Sequence, residues 1–320
     1  MGNQTSLGKA FEFACFQAIF KKAVSLQVPI QKMQNPALNV AETNFQKLDP
    51  GLQTDLINGA LTSVNYLFSC EPHLADNVLK DSLIIGLQDD KAGQTGDVRD
   101  ILLKRKGNEE SLWQIGVSCK HNHTAVKHPR VGFTNIDFIS NWTGKSFGVT
   151  ETYKKDIEPV CKIIQAKKGR AWTDAFPDRN AYLYDPINNA VKDELLRQAQ
   201  SPSFSTILFD FLIGTFDFYK ICAFDKQRVT QLLIFNMNNS LNKSTVHRKP
   251  SSFIKQTPKP NNILSVGKKS DSTLYIQFDL GWLFSMRLHT ADGKITTSLK
   301  YDVRLDGVPS DLLNLSFPWF

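Results

Sequence analysis

An α/β domain followed by a β-rich region is the fold class the sequence predicts, and three observations predict it. Apolar residues near the start recur at helical spacing. The middle holds two short strand patterns on either side of a turn. The last third alternates apolar and polar residues with the period of two that a half-buried strand requires. A helix–strand–hairpin core with a β-rich sequel needs packed layers of both kinds.

The elements follow in chain order. Gly8 to Ser25 reads as a helix, because Phe11, Cys15, Ala18, Ile19 and Lys22 follow three-to-four spacing, with Ser6 as its cap. A second helical region covers roughly Ala41 to Tyr66, and an extended apolar segment runs from Leu79 to Leu87. Gly93 to Gly96 is a turn-rich break. Asp97 to Lys104 is a strand, Lys106-Gly107-Asn108 a hairpin turn, and Leu112 to Lys120 the returning strand. Thr173 to Gln200 is expected to hold a strand around Tyr182-Leu183-Tyr184 and a helix from Pro186. Ile207 to Ile213 is the longest apolar stretch and is strand-length. Leu232 to Phe235 and Thr273 to Leu305 read as strands, with a hairpin turn at Ala291-Asp292-Gly293-Lys294. No internal repeat is visible. The expected division is a core of residues 1–200, with its central hairpin at 96–130, and a β-rich region of residues 201–320, with a soft boundary.

Composition excludes several classes. No run of 18 apolar residues is present, so nothing spans a bilayer. The start of the chain lacks a basic region followed by an apolar core. Met1-Gly2-Asn3-Gln4-Thr5-Ser6 fits a loose myristoylation pattern, which is short and common by chance. Cys15, Cys70, Cys119, Cys161 and Cys222 are scattered and odd in number. That argues against a disulfide framework or a cysteine zinc site, and fits a reducing cytoplasm. A net charge of +7 favours polyanionic partners without identifying them.

The informative stretch is Gly96-Asp97-Val98-Arg99-Asp100-Ile101-Leu102-Leu103, followed by Gln114-Ile115-Gly116-Val117-Ser118-Cys119-Lys120. On the second strand Ser118 and Lys120 are two apart and share a face. Asp100 precedes an apolar run at the mouth of the first strand, where it can share a pocket with Lys120. Phosphodiester hydrolysis uses such a set. Carboxylates and a main-chain carbonyl hold Mg²⁺, and a lysine orients water or offsets charge developing on the phosphate. An aspartate and a lysine some 20 residues apart are a weak signal alone, and a plain hairpin with solvated charges explains them as well. The sequel strengthens it: His121-Asn122-His123-Thr124-Ala125-Val126-Lys127-His128-Pro129-Arg130 has no acid, and none follows until Asp137. A cationic loop leaving a strand suits a phosphate backbone. The letters His-Asn-His are a coincidence, since the nuclease motif of that name is spread over a longer unit. A three-histidine zinc site lacks cysteine or carboxylate partners nearby.

These segments together resemble the HaeIII family of type II restriction endonucleases. Gly8-Lys9-Ala10-Phe11-Glu12-Phe13 is similar to that family's opening helix. Met286-Arg287-Leu288-His289-Thr290-Ala291 with Ser298-Leu299-Lys300-Tyr301-Asp302 is similar to its C-terminal hairpin. The resemblance implies a PD-(D/E)XK restriction-endonuclease-like core, with a mixed central sheet flanked by helices, plus a β-rich C-terminal extension. It also implies Mg²⁺ dependence, with Mn²⁺ as a substitute, and cleavage of both strands of double-stranded DNA at GGCC to leave 5′-phosphates. By the family pattern Asp100 is the metal-binding aspartate, with Asp97 its rival, and Lys120 is the lysine of the final triplet. The Cys119 main-chain carbonyl would be a further metal ligand. Glu12 matches the opening-helix glutamate that supports the metal site, or is an ordinary exposed helix charge. Ser118 stands where an acid is usual, so Glu12, Asp97 or the hydroxyl with a water would complete the shell.

Asn122, His123, Lys127, His128 and Arg130 are the DNA-contact candidates in the loop. No acid lies between Asp225 and Asp271, an interval with nine bases: Lys226, Arg228, Lys243, Arg248, Lys249, Lys255, Lys259, Lys268 and Lys269. It is expected to follow phosphates, Arg248 and Lys249 among its contacts, the alternative being a solvated loop. Arg287 and His289 share a face of a strand and are candidates to read bases, or structural members of the sheet; Asn236, Asn238 and Asn239 are weaker candidates. The functional expectation is a type II restriction endonuclease in a prokaryotic cytoplasm, with a cognate DNA methyltransferase as functional partner. A palindromic site suits a twofold homodimer. The rivals are a repair or recombination nuclease of the same fold and a non-catalytic DNA-binding protein.

Overall fold

The structure is a computed structural model that describes residues 3–89, 97–106, 112–290 and 292–319. The turns expected at Gly93–Gly96 and Gly107-Asn108, and the Met1-Gly2 start, lie outside these residues. Two compact units form, each discontinuous: Met1–Thr124 with Thr215–Pro258 and Asp311–Phe320, and Ala125–Gly214 with Lys259–Ser310. These units do not follow a division near residue 200. Both segments of the second unit are insertions between strands of the first.

The first unit is built on a mixed seven-stranded sheet in the order β1 (Ile30–Lys32), β2 (Leu83–Leu87), β3 (Ile101–Lys106), β4 (Leu112–His121), β7 (Phe218–Phe224), β8 (Val229–Phe235) and β13 (Asn314–Pro318). Strands β2, β3 and β4 run antiparallel in sequence, and β4 then pairs parallel with β7. A parallel neighbour needs a long crossover, and residues 125–214 lie within it. Helix α1 (Asn3–Ser25) packs on β4 and on α2 (Pro36–Gln46) and α3 (Pro50–Cys70); α4 (Pro72–Ala75) follows. Its residues Ala10, Phe11, Ala14, Cys15, Phe16, Ala18 and Ile19 are all buried, so it is apolar around most of its girth, as a core helix is. Ser6 lies inside this helix, not at its cap. The single helical region expected at 41–66 is two helices. Asp49 caps Leu52 N–H at 2.9 Å, and Pro50 disfavours helical geometry at the residue before it.

A buried carboxyl joins α3 to the sheet. Glu71 Oε1 accepts from the Tyr219 hydroxyl at 2.5 Å and from Asn242 N–H at 2.7 Å. Burial pushes the Glu71 carboxyl up to about 7 despite these hydrogen bonds.

The second unit has a sheet in the order β5 (Ala125–Lys127), β12 (Ser298–Gly307), β11 (Leu283–His289), β10 (Thr273–Phe278) and β9 (Ile263–Ser270), with β6 (Arg130–Gly132) also on β12. Its helices are α5 (Phe138–Trp142), α6 (Glu151–Ala166), α7 (Trp172–Ala175), α8 (Asp185–Gln198) and α9 (Pro202–Ile213). Leu274, Ile276, Met286, Leu288, Tyr301 and Val303 are buried on one face of the sheet. Tyr301 anchors α8, its hydroxyl donating to Asn188 Oδ1 at 2.6 Å.

Three expectations here are corrected. Tyr182-Leu183-Tyr184 is a π-helical turn running into α8, not a strand. Leu183, Tyr184, Ile187, Asn188, Val191 and Leu195 continue one buried stripe of helical spacing through Pro186. Ile207–Ile213 is the end of α9. Its Phe204, Leu208, Phe209 and Leu212 face inward while Asp210 pairs with Lys259 at 2.9 Å, and Gly214, at φ 96°, ends it. The turn expected at 291–294 is no tight hairpin: β11 stops at His289, β12 resumes at Ser298, and Lys294 bridges to Ala171. Among the described residues no helix is long and apolar enough to cross a membrane.

Candidate active site

The register of three strands of the first unit places the chemistry. Ile101 pairs with Val117, so Asp100, just before β3, stands beside Ser118; Ser118 in turn pairs with Lys220 of β7. The Asp100 backbone is fixed on both sides, its N–H donating to Val117 O and its carbonyl accepting from Gln88 N–H, each at 2.8 Å. Its carboxylate therefore has a defined position. Oδ2 accepts from Cys119 N–H at 2.6 Å, Lys120 Nζ at 3.0 Å and the Ser118 hydroxyl at 3.2 Å.

Glu12 of α1 is almost wholly buried and is held by Lys9 Nζ at 3.0 Å. Burial, then the like charge of Asp100, raises its carboxyl to about 7. Its reading as an exposed helix charge is thus not met. Burial alone would lower the Lys120 ammonium, but Asp100 and Glu12 carry it above its ordinary value, so it stays charged at neutral pH. Two acids, Glu12 and Asp100, share this corner of the first unit with Lys9 and Lys120.

Asp97 is elsewhere. Arg99 grips it with Nε at 2.8 Å and Nη2 at 2.7 Å, and Gln88 Nε2 donates at 2.9 Å. Burial opposes the charge, but Arg99 and Gln88 hold this carboxyl below the usual range. Asp97, expected as a rival metal ligand, is thus engaged by Arg99 and Gln88 and is not among the partners of Lys120. Arg99 itself lies across Gly116 and stacks on Phe216 at 3.9 Å. A Cβ at Gly116 would fall 2.0 Å from Arg99 Cδ, so only glycine fits there.

Sequence reasoning missed Lys220. Burial is the main cause that lowers its ammonium to about 8. A lone lysine in Phe218-Tyr219-Lys220-Ile221-Cys222 was the available signal, since strand interiors rarely hold a charge without reason.

The donor set suits a hard cation. Among the described residues no cluster of three or more histidine, cysteine, aspartate or glutamate side chains converges. Mg²⁺ asks for less, since it keeps several waters and binds through one or two carboxylates plus phosphate oxygens. Two neighbouring carboxyls, of which Asp100 raises Glu12's cost of ionisation, fit that demand beside the Cys119 backbone.

The loop candidates fare unevenly. Asn122, at φ 59°, uses both ends of its amide on Asp225, donating to Oδ2 at 2.8 Å and accepting from Asp225 N–H at 3.0 Å. With the buried His121 at 2.8 Å from Asp225 Oδ1, it clasps the ends of β4 and β7 instead of facing a ligand. His123 is half-buried. In the second unit Lys127 folds onto Phe211, its Nζ 2.6 Å from the carbonyl and 3.7 Å from the ring centroid, and burial lowers it to about 8. Arg130 is exposed beside Ser298 at 3.1 Å. His128, Arg287 and His289 all reach Asp302.

The acid-free interval is not acid-free in space. Arg228 pairs with Asp55, Lys255 with Asp311, Lys259 with Asp210, Lys268 with Asp185, and Lys269 with Asp306. Five of its nine bases thus meet acids supplied by distant segments, and the interval is shared between the two units. Arg248 and Lys249 are exposed in the first unit, near Phe253 and Val246, which are also exposed.

Comparison with known proteins gives two matches. The family model of the HaeIII restriction endonuclease matches residues 8–309. The Type II restriction enzyme HaeIII of Haemophilus aegyptius is 32% identical over 320 residues, covering 98% of this chain and 97% of that protein. No solved structure matches.

Proposed function

The chain belongs to the HaeIII restriction endonuclease family, and from that premise we propose that it hydrolyses both strands of double-stranded DNA at GGCC, with Mg²⁺, leaving 5′-phosphates. The observation that carries the reading is the Asp100 carboxylate, whose Oδ2 takes Lys120, Ser118 and the Cys119 N–H, with Glu12 beside it. We assign to this corner the role of a PD-(D/E)XK site in which a serine replaces the second acid and Glu12 supplies the missing charge.

The residues then have separable tasks. Asp100 Oδ1, Glu12 and the Cys119 carbonyl would hold the ion, since Oδ2 is taken by its three donors. The chemistry that bound Mg²⁺ supplies is polarisation of the scissile phosphate and easier loss of a proton from water. Lys120 keeps its proton at neutral pH, so its task is to orient the attacking water and offset charge on the phosphate, not to accept a proton. Ser118 and the Cys119 N–H fix the carboxylate on which this geometry depends.

The partner is duplex DNA, contacted by Arg248, Lys249 and His123 of the first unit and by His128, Arg130, Arg287 and His289 of the second. A homodimer would match a palindromic site, and a methyltransferase of the same specificity would protect the host's DNA. Incubation of a plasmid with the protein and Mg²⁺, followed by mapping of the cut ends, tests the reading. Discrete fragments with 5′-phosphates at one short sequence are expected. An intact plasmid would leave a DNA-binding protein, and cuts that follow DNA structure would leave a repair nuclease.

A further inference from the structure

Three side chains of the second unit converge on one acid. Arg287 and Asp302 are directly opposite on β11 and β12. Arg287 Nη2 donates to Asp302 Oδ2 at 3.1 Å, His128 Nδ1 lies 2.8 Å from Oδ1, and His289 Nε2 lies 3.2 Å from the same oxygen without the alignment of a hydrogen bond. Asp302 is mostly buried at 16%, whereas Arg287 is 56% and His128 44% exposed. The acid is thus beneath and the bases above it. The neighbouring positions continue the polar face: His289 stands opposite Lys300, and Lys300 opposite Arg130 on β6. Leu288 and Tyr301, one position along, are buried on the other face.

We propose that Asp302 is a positioning residue that holds Arg287, with His128 and His289, in the orientation needed to read base edges in DNA. This rests on the nuclease reading above. An arginine distinguishes guanine when its planar fork meets O6 and N7 together, and a flexible arginine loses that advantage by having to be ordered on binding. Asp302 takes one nitrogen of the fork and leaves further N–H donors for a base. The carboxylate cannot itself favour DNA, because it carries the charge of the phosphates. Burial would raise it, yet the three bases hold it far below the usual carboxylate range, so it remains an anion. An acid kept at the centre of a basic face therefore has a cost in general affinity, which orientation of the reader offsets.

That conflict gives the test. Binding in Ca²⁺ is measured for a duplex carrying the sequence mapped from the parent's own cut ends and for a scrambled duplex, with the parent, Asp302→Ala, Asp302→Asn, Arg287→Ala and the Asp302→Ala/Arg287→Ala double variant. Asp302→Ala should lower the preference for the mapped duplex about tenfold, while scrambled DNA binds as well as or better than before. Asp302→Asn, which keeps an acceptor for Arg287, should recover part of the preference. The double variant should lose little beyond Arg287→Ala, because Asp302 acts through that arginine. Equal loss on both duplexes would make Asp302 a merely structural residue and overturn the proposal. So would an unchanged preference in folded Asp302→Ala. A parent that neither cuts nor prefers any duplex would instead overturn the nuclease reading on which this one stands.

Discussion

Lys120 Nζ lies 3.0 Å from Asp100 Oδ2, while Asp97, three residues before Asp100, turns to Arg99. The two aspartates therefore differ in what their removal does. Lys120→Ala and Asp100→Ala should each lower cleavage by at least about a hundredfold, since each removes a group that stabilises the transition state or holds the metal. Both proteins should stay folded by circular dichroism. Asp97→Ala should instead lower the melting temperature, because a buried ion pair loses one partner, at a cost of about 3 kcal/mol. A residual rate well above that of Asp100→Ala is expected. A folded Lys120→Ala that cuts at the parent rate would place the active site elsewhere.

Metal exchange gives a second expectation. Mg²⁺ and Mn²⁺ should support cleavage, and Ca²⁺ should support binding without cleavage, because it takes similar oxygen ligands but activates water poorly. Full cleavage in excess EDTA would contradict the assignment of Asp100 and Glu12. The measurement is fragment yield against time with each ion.

Arg248 and Lys249 are exposed, and they are not among the five bases of their interval that pair with acids. Their joint replacement by alanine should weaken binding to all DNA sequences alike. The slope of log affinity against log salt should fall by about two, roughly one for each phosphate that is no longer neutralised. An unchanged slope would make this segment a solvated loop.

Glu71 gives the stability of the first unit a pH dependence. Its carboxyl rises from 4.5 to about 7 on burial, so between those values the folded protein keeps a proton that the unfolded chain has released. Stability should therefore be unaffected by this group below about pH 4.5, fall as pH rises through the window, and reach its full loss above about 7. The size is on the order of 3 kcal/mol. Glu71→Gln retains an acceptor for Tyr219 and Asn242, so urea unfolding at pH 5 and pH 8 should differ less in the variant than in the parent. Glu12 titrates in the same range, so the difference between the two proteins is the readout. Equal pH slopes would exclude Glu71 as a source.

The pairing of the strands that carry Asp100 and Lys120 was legible because its signals are local. Alternation puts Ser118 and Lys120 on one face, and Asp100 adjoins an apolar run. The choice between Asp97 and Asp100 was not legible, since it turns on where Arg99 lies across Gly116. The pairing of five bases in the acid-free interval was not legible, because charge along a chain is not charge in space: Asp55, Asp185, Asp210, Asp306 and Asp311 return to it from elsewhere. Asp302 gave no signal for a related reason. Its partners lie on β11 and before β6, and only the register of the strands brings them together. The segment at Tyr182 and the stretch from Ile207 are short apolar runs for which period alone cannot separate strand from helix. The two units were not legible because each is assembled from pieces that sequence order keeps apart.

The sheet that carries Asp100 and Lys120 closes through contacts between very distant positions. Trp319 covers Gly59, and its indole N–H donates to Thr230 Oγ1 at 2.8 Å. During synthesis the Asp100–Lys120 hairpin leaves the ribosome well before β7 can pair with β4, and longer still before β13 can seal β8. A nascent chain must therefore hold an unpaired strand edge until β7 and then β13 emerge, which is the condition under which chains of high contact order aggregate. Cutting power would then emerge only after β7 has joined β4, and the seal on β8 only once β13 has left the ribosome.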